Sequence, residues 1–264
     1  MENKFKTFAS QFALRAGQII KKNFSLGMEK KWKEDNTPVT ETDLVINFML
    51  IREVAKEFPE HSVLAEEQSN IKHASEYVWV CDPLDGTTPF SHGIPLSTFS
   101  LALVKKGEVI LGVINDPFSE RLFVAEKGKG TFLNDKAIQV STISLLENAM
   151  GNNEISKRAK YNTAKLADYL VMSDVKLIKL ISIIYPSALV AAGELDFTIF
   201  PNTTPWDAAS VKIIVEEAGG KVTDIFGNEQ RYDKDINGFV ASNGVLHDQL
   251  INLTSKLVSL NTRE

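Results

Sequence analysis

Two aspartates three residues apart, Asp82 and Asp85, stand where an apolar segment of the chain gives way to a turn. The run 77–80 predicts a short buried strand, which we expect to end at Asp82-Pro83 because proline has no amide hydrogen for a sheet. Gly86 closes the turn, and the Thr87 hydroxyl follows near the expected start of a short helix. This combination suits a divalent cation and an anionic substrate, although Asp-Pro-x-Asp-Gly can also be an ordinary turn.

The spacing of these two carboxylates excludes two familiar kinds of site. A calcium-binding EF-hand loop needs ligands at alternate positions and a glutamate at the twelfth, where this chain has Gly93, and Pro83 already interrupts the pattern. A phosphatase that forms an aspartyl-phosphate usually carries its two aspartates two residues apart, which Asp82 and Asp85 are not. Shared binding of a metal ion remains, because neighbouring carboxylates repel and both stay ionised only when a cation compensates.

Three further acidic residues stand where loops could converge on this pair. Glu66 follows a predicted strand, Asp207 begins a predicted helix, and Asp43 lies in the first turn of another. Each has an ordinary alternative, since the two aspartates could simply favour helix dipoles and the glutamate could be a solvated charge. Together with Asp82 and Asp85 they predict a site with several carboxylate ligands.

The elements that must position these residues alternate between helix and strand. The apolar spacing predicts an N-terminal amphipathic helix from Phe5 to Phe24 and a second helix that Thr40 or Thr42 caps. An antiparallel meander follows, with a hairpin at residues 105–108 and a turn at residues 128–130. Later segments predict helices at 163–172, 187–192, 206–218 and 245–257, with short strands between them. We therefore predict an α/β (α+β) fold with an N-terminal lobe at 1–140 and a C-terminal lobe at 141–264.

Composition limits the partners that this chain could bind. Of the 264 residues, 44% are hydrophobic and 24% charged, and the net charge of −5 leaves no basic surplus for nucleic acid or an anionic membrane. The single cysteine, Cys81, excludes an intramolecular disulfide and fits a reducing compartment, and no apolar run reaches the length of a membrane span. We expect a cytoplasmic enzyme with a small-molecule substrate, no nucleic acid and no membrane.

Four sequence blocks resemble the inositol monophosphatase family. They are Pro38-Val39-Thr40-Glu41-Thr42-Asp43, Ala65-Glu66-Glu67, Asp82-Pro83-Leu84-Asp85-Gly86-Thr87, and Trp206-Asp207 followed by Glu217-Ala218-Gly219-Gly220. All four occur in the family's order and span most of the chain. The resemblance implies a layered αβαβα sandwich of the inositol monophosphatase/fructose-1,6-bisphosphatase type, dependence on two to three Mg²⁺ ions, a homodimer and frequent inhibition by lithium.

The resemblance also assigns roles to individual residues. It implies that Glu66, Asp82 and the Leu84 carbonyl bind one magnesium ion and that Asp82, Asp85 and Asp207 bind a second, with Glu66 sharing a third. Thr87 would hydrogen-bond the attacking water and Asp43 would accept from Thr87. The resemblance further implies contacts with the substrate from the Gly86 and Thr87 amides, from Asp207, and from Lys33 on a loop.

The substrate pocket departs from the family's pattern. Phe200 occupies the place of a glutamate that contacts a substrate hydroxyl, and Ile181-Ser182-Ile183 replaces a Gly-Ser-Ala stretch that lines the polyol site. Ser182 and Phe200 are therefore candidate substrate contacts in a more apolar pocket. We expect a magnesium-dependent phosphomonoesterase for a small polyol or sugar phosphate such as inositol 1-phosphate. Alternatives are histidinol phosphate, fructose 1,6-bisphosphate or 3′-phosphoadenosine 5′-phosphate as substrate and, more remotely, a non-catalytic regulatory protein.

Overall fold

Helices and short strands alternate along the chain in the computed structural model, which describes residues 2–25, 31–32, 38–72 and 75–261. Within these ranges the α-helices are α1 Glu2–Asn23, α2 Glu41–Glu57, α3 Thr87–Ser91, α4 Ala164–Met172, α5 Ile184–Ala191, α6 Ala209–Glu216 and α7 His247–Leu257. Single 3₁₀ turns lie at Leu146–Asn148 and Pro205–Asp207. In this part of the chain no helix combines the length and the apolar character needed to cross a bilayer.

Two sheets contain most of the strands. The strands are β1 Lys31–Trp32, β2 Pro38–Val39, β3 Ser62–Ala65, β4 Tyr77–Asp85, β5 Thr98–Lys105, β6 Glu108–Asp116, β7 Arg121–Glu126, β8 Thr131–Leu133, β9 Lys136–Ala137, β10 Met150–Asn153, β11 Tyr161–Asn162, β12 Lys176–Ile178, β13 Phe197–Phe200, β14 Lys221–Thr223, β15 Phe239–Ser242 and β16 Ser259–Leu260. The larger sheet has seven strands in the order β3-β4-β5-β6-β7-β8-β9, and the smaller has five in the order β12-β10-β13-β15-β14. Two short ladders, β1-β2 and β11-β16, stand apart from them.

The larger sheet is a meander whose turns the sequence predicts. All neighbouring strands in it are antiparallel except β3 and β4, which run parallel. The predicted hairpin joins β5 to β6 through Lys106 and Gly107, whose φ angles are 53° and 91°. Positive φ at both central residues is the type I′ geometry that matches the twist of adjoining strands. The hairpin and the turn at residues 128–130 are both confirmed.

The helices and the two sheets form five layers, and three hydrophobic cores join these layers. The first core packs α1 and α2 against one face of the seven-stranded sheet, and Phe12 and Trp79 are fully buried in it. The central core joins the other face of that sheet, where Val80 lies, to α5, α6 and one face of the five-stranded sheet. The third core packs α4 and α7 on the far face of the smaller sheet, around Phe197. The order α, β, α, β, α follows, and the predicted layered sandwich is confirmed.

Neighbouring side chains of β4 pack in different hydrophobic cores. Side chains alternate across a strand, so Trp79 enters the first core and Val80 the central one. Residues of both predicted lobes contribute to the central core, from Val80 to Ala241. The division at residue 140 stays a prediction, although the larger sheet ends before it and the smaller sheet begins after it.

His247 shows how a polar side chain is accommodated at the first residue of α7. The residue is 1% exposed, and its Nδ1 and Nε2 lie 2.9 and 3.0 Å from the hydroxyl oxygens of Ser242 and Thr223. Burial lowers the imidazole pKa to about 4, and the charge of Lys221 acts in the same direction. The ring is therefore neutral in the fold at pH 7.

We expect His247 to destabilise the protein in acid. Its pKa in the unfolded chain is near 6.5, so protons bind the unfolded state first as the pH falls from 6.5 towards 4. About 2–3 kcal/mol of the free energy of unfolding should be lost across that window. Urea unfolding of the wild type and His247→Gln at several pH values measures this, because only the wild type carries the imidazole contribution. Identical pH slopes in the two proteins would contradict it.

Candidate active site

A bulge at the end of β4 brings Asp82 and Asp85 to the same side of the strand. Asp82 pairs with Ser100 and Asp85 with Thr98, so three steps along β4 correspond to two along β5. In a regular strand, residues three apart point to opposite faces, and the extra residue removes that difference. The expectation that the strand ends at Asp82-Pro83 is wrong, because a bulge lets the strand pass a proline and continue to Asp85.

Asp207 reaches the same place from the second half of the chain. One carboxylate oxygen from each of Asp82, Asp85 and Asp207 lies within 4.8 Å of the other two. The predicted helix over residues 206–218 is wrong at its start, because Pro205–Asp207 forms a 3₁₀ turn and Ala208, with φ −124°, separates it from α6. The Thr204 hydroxyl donates a hydrogen bond to Asp207 Oδ2 within this turn.

The electrostatics of this cluster call for a cation. Burial raises the pKa of Asp82 well above its usual range, and the charges of Glu66, Asp85 and Asp207 raise it further. Carboxylate oxygens are the ligands that hard divalent cations such as Mg²⁺ prefer, and a cation at this point would offset both the burial and the repulsion. The donor set therefore fits a divalent metal ion.

Glu66 lies beside this three-aspartate cluster rather than within it. The residue directly follows β3, and its amide donates to the Cys81 carbonyl at 3.3 Å, which places it next to β4. Its charge raises the pKa of both Asp82 and Asp43. The structure thus brings Glu66 close enough to act electrostatically on the predicted ligands.

Thr87 links the cluster to Asp43 at the start of α2. The Thr87 hydroxyl oxygen lies 2.9 Å from the Leu84 carbonyl and 3.2 Å from Asp43 Oδ1, so its single proton can go to either acceptor. Asp43 also accepts from the amide of Thr40 at 2.8 Å, which confirms Thr40 as the helix cap. Burial raises the pKa of Asp43 to about 7 against the lowering effect of the Thr40 hydrogen bonds.

Gly86 makes the turn between β4 and α3 possible. Its φ is +83°, and a Cβ at this position would lie 2.7 Å from the Leu96 carbonyl oxygen. Both constraints exclude a side chain, since only glycine adopts positive φ without a steric penalty. The glycine therefore fixes how the Thr87 hydroxyl is presented to the cluster.

Asp85 also holds the start of α5. It accepts hydrogen bonds from the Ser182 hydroxyl and from the amides of Ile183 and Ile184, the latter two at 3.1 Å each, and Thr98 Oγ1 lies 3.2 Å away. These donors oppose the rise in the Asp85 pKa that burial causes. Ser182, a predicted substrate contact, thus donates to a predicted metal ligand. The two amides were missed, because no sequence signal marks a helix that will be capped by a residue 98 or 99 positions earlier.

A cavity of about 220 Å³ opens beside Asp85 and Asp207. The remaining residues that line it are Glu154, Ser156, Ala159, Ile181, Ser182, Ile183, Phe200, Pro201 and Asn202. Phe200 is 6% exposed, so it forms a wall of the cavity. Ile181 has φ +53°, a strained conformation for a β-branched residue. Lys33, the other predicted substrate contact, lies outside the described residues.

Comparisons with known proteins agree with this geometry. The family model for the inositol monophosphatase family matches residues 1–259. The chain is 36% identical over 221 residues to the fructose-1,6-bisphosphatase/inositol-1-monophosphatase of Thermotoga maritima, with 83% of each covered. It is 32% identical over 247 residues to the histidinol-phosphatase of Chlorobaculum parvum, covering 92% of this chain and 93% of that protein.

Two further likenesses extend over nearly the whole chain. A putative Nus factor SuhB of Neisseria meningitidis serogroup B is 34% identical over 261 residues, covering 96% of this chain and 98% of that protein. The solved structure of a Thermotoga maritima IMPase matches with a TM-score of 0.85 and 32% identity, covering 97% of this chain and 98% of that one. The chain therefore belongs to the inositol monophosphatase family, a family of metal-dependent phosphatases.

Proposed function

We propose that this protein is a magnesium-dependent phosphomonoesterase that hydrolyses a small polyol or sugar phosphate such as inositol 1-phosphate. The observation that carries the proposal is the convergence of Asp82, Asp85 and Asp207 beside a small cavity. The substrate phosphate would lie at the three carboxylates and its alcohol part in the cavity. Family membership supports the reaction class, and the geometry of the cavity supports a small alcohol.

The chain's own groups divide the chemistry between them. Asp82, Asp85, Asp207, Glu66 and the Leu84 carbonyl would hold two to three Mg²⁺ ions, which would supply activation of water and stabilisation of negative charge on the phosphate and leaving oxygens. The Thr87 hydroxyl would orient the attacking water, with Asp43 as its acceptor. The Gly86 and Thr87 amides would donate to phosphate oxygens.

Three alternatives have specific support. The histidinol-phosphatase of Chlorobaculum parvum favours histidinol phosphate, and the Thermotoga maritima relative favours fructose 1,6-bisphosphate. The SuhB-named relative favours a regulatory role. Against a role without catalysis stands the retention of Asp43, Glu66 and Thr87 together with the three aspartates. We also propose a cytoplasmic homodimer with no nucleic-acid or membrane partner.

A substrate panel with the Asp85→Asn variant tests the function. With Mg²⁺ the wild type should release phosphate from one or more of inositol 1-phosphate, histidinol phosphate, fructose 1,6-bisphosphate and 3′-phosphoadenosine 5′-phosphate. Because Asp85→Asn removes the charge of a proposed metal ligand, kcat/KM should fall roughly 100-fold or more. Loss of a residue that only hydrogen-bonds to a metal ligand typically costs about 10–100-fold. Since Asp85 also caps α5, a thermal melt of the variant controls for folding. Equal activity in the variant, or in the wild type with chelator, would contradict the proposal.

Thr87→Val tests the positioning of water. The substitution keeps the shape of the side chain but removes the hydroxyl, so kcat should fall by about 10²–10³ while the Mg²⁺ affinity changes little. Thr87→Ser restores the hydroxyl and should recover much of the rate. Steady-state kinetics over a range of Mg²⁺ concentrations separates the two effects. A weaker Mg²⁺ affinity with unchanged kcat would instead place the hydroxyl in metal binding.

Stabilisation by Mg²⁺ should depend on pH. Without a cation, the raised pKa values of Asp43 and Asp82 make the folded state bind protons that the unfolded chain has released, so stability falls as the pH rises. For Asp43 this window runs from about 4 to about 7. Mg²⁺ displaces the protons on its ligands, so the increase in Tm that it causes should grow as the pH rises. Thermal melts with Mg²⁺ or with chelator measure this increase in Tm, and the Asp207→Asn substitution should make the increase smaller. An increase in Tm that is independent of pH would argue against a carboxylate site.

A further inference from the structure

The lining of the cavity beside the three aspartates combines apolar and polar residues. Its apolar residues include Phe200, Ile181 and Ile183. Ser182 also lines the cavity, but its hydroxyl donates to Asp85. Ser156 and Asn202 are polar residues of the same lining, so an alcohol that fills this space would meet both apolar and polar side chains.

Glu154 supplies a polar group on the cavity wall. Among the described residues that line the cavity, it is the only charged one besides Asp85 and Asp207. It directly follows β10, and its backbone is held on both sides: its amide donates to the Ile199 carbonyl at 3.0 Å, and its carbonyl accepts from the Thr163 hydroxyl at 2.6 Å. The side chain is therefore anchored at a defined place in the wall.

The Glu154 carboxylate is half-buried without a compensating hydrogen bond. Burial raises its pKa, the charge of Lys179 lowers it, and the charge of Asp85 raises it. Within the described ranges no donor forms a hydrogen bond to this carboxylate, and the Lys179 ammonium donates to the Ile155 carbonyl at 3.3 Å. A half-buried acceptor without a donor is costly, and binding sites use such groups to orient a ligand.

We propose that Glu154 binds the alcohol part of the substrate by accepting a hydrogen bond from an O–H or N–H group. Phe200 and Ile181, which line the same cavity, contact the carbon skeleton. The inference rests on the proposed phosphatase function and narrows its substrate class. The substrates are small phosphate esters whose alcohol carries a hydroxyl or ammonium donor away from the ester oxygen and presents an apolar face to Phe200.

Three esters and two substitutions at one position test this inference. Inositol 1-phosphate carries hydroxyl donors, histidinol phosphate carries an ammonium group, and phenyl phosphate carries no donor on its alcohol part. Glu154→Ala should lower kcat/KM about tenfold or more for the donor-bearing ester that the wild type hydrolyses, because a hydrogen bond to a charged acceptor is lost. For phenyl phosphate the change should stay within about twofold. Glu147→Ala, at an exposed glutamate on the 3₁₀ turn before β10, should leave all three esters unchanged.

The Glu154→Gln variant separates the two donor classes and guards against misfolding of the alanine variant. Glutamine keeps an acceptor oxygen but loses the charge, so a hydroxyl-bearing ester should keep most of its rate, whereas an ammonium-bearing ester should lose about as much as with alanine. A loss of equal size for all three esters, or no loss for the donor-bearing ones, would overturn the inference. If the wild type hydrolysed neither these three esters nor fructose 1,6-bisphosphate nor 3′-phosphoadenosine 5′-phosphate with Mg²⁺, the proposed function itself would fail.

Discussion

Mutual repulsion among Asp82, Asp85 and Asp207 is the constraint on which the rest of this structure depends. Each carboxylate would be easier to keep ionised in water, yet the fold buries or half-buries all three within a few ångströms. Such an arrangement persists only when other elements hold the side chains in place and a counter-charge is available. The bulge in β4, the 3₁₀ turn before α6 and the first residues of α5 are those elements.

The three supporting elements act on the carboxylates in different ways. The bulge sets the direction of two side chains, and the 3₁₀ turn holds the third through Thr204. The start of α5 neutralises part of the Asp85 charge with backbone amides, which are permanent dipoles and do not titrate. Asp85 and Asp207 belong to the cluster and also line the cavity, so the two features are adjacent and share residues.

Much of this architecture could be predicted from local patterns. The helical spacing of α1, the capping residue Thr40 and the Lys106-Gly107 hairpin are properties of short segments, and the motif around Asp82 predicted carboxylates that the fold does bring together. The passage of β4 through Pro83 could not be predicted, because a bulge depends on the partner strand. The capping of α5 by Asp85 and the position of Glu154 on the cavity wall depend on how distant segments pack, which one sequence does not reveal.

The hydrogen bonds between Asp85 and the start of α5 also bear on how the protein folds. They join residues 98 and 99 positions apart, and Asp207 is further still along the chain. Contacts of such long range carry a high entropic cost of loop closure and form after local ones. The meander of β4 to β8 can assemble from neighbours, whereas the complete set of carboxylates exists only after the second sheet has docked. A site that needs all three carboxylates therefore cannot form before the distant segments meet, and a chain without Asp207 would lack it.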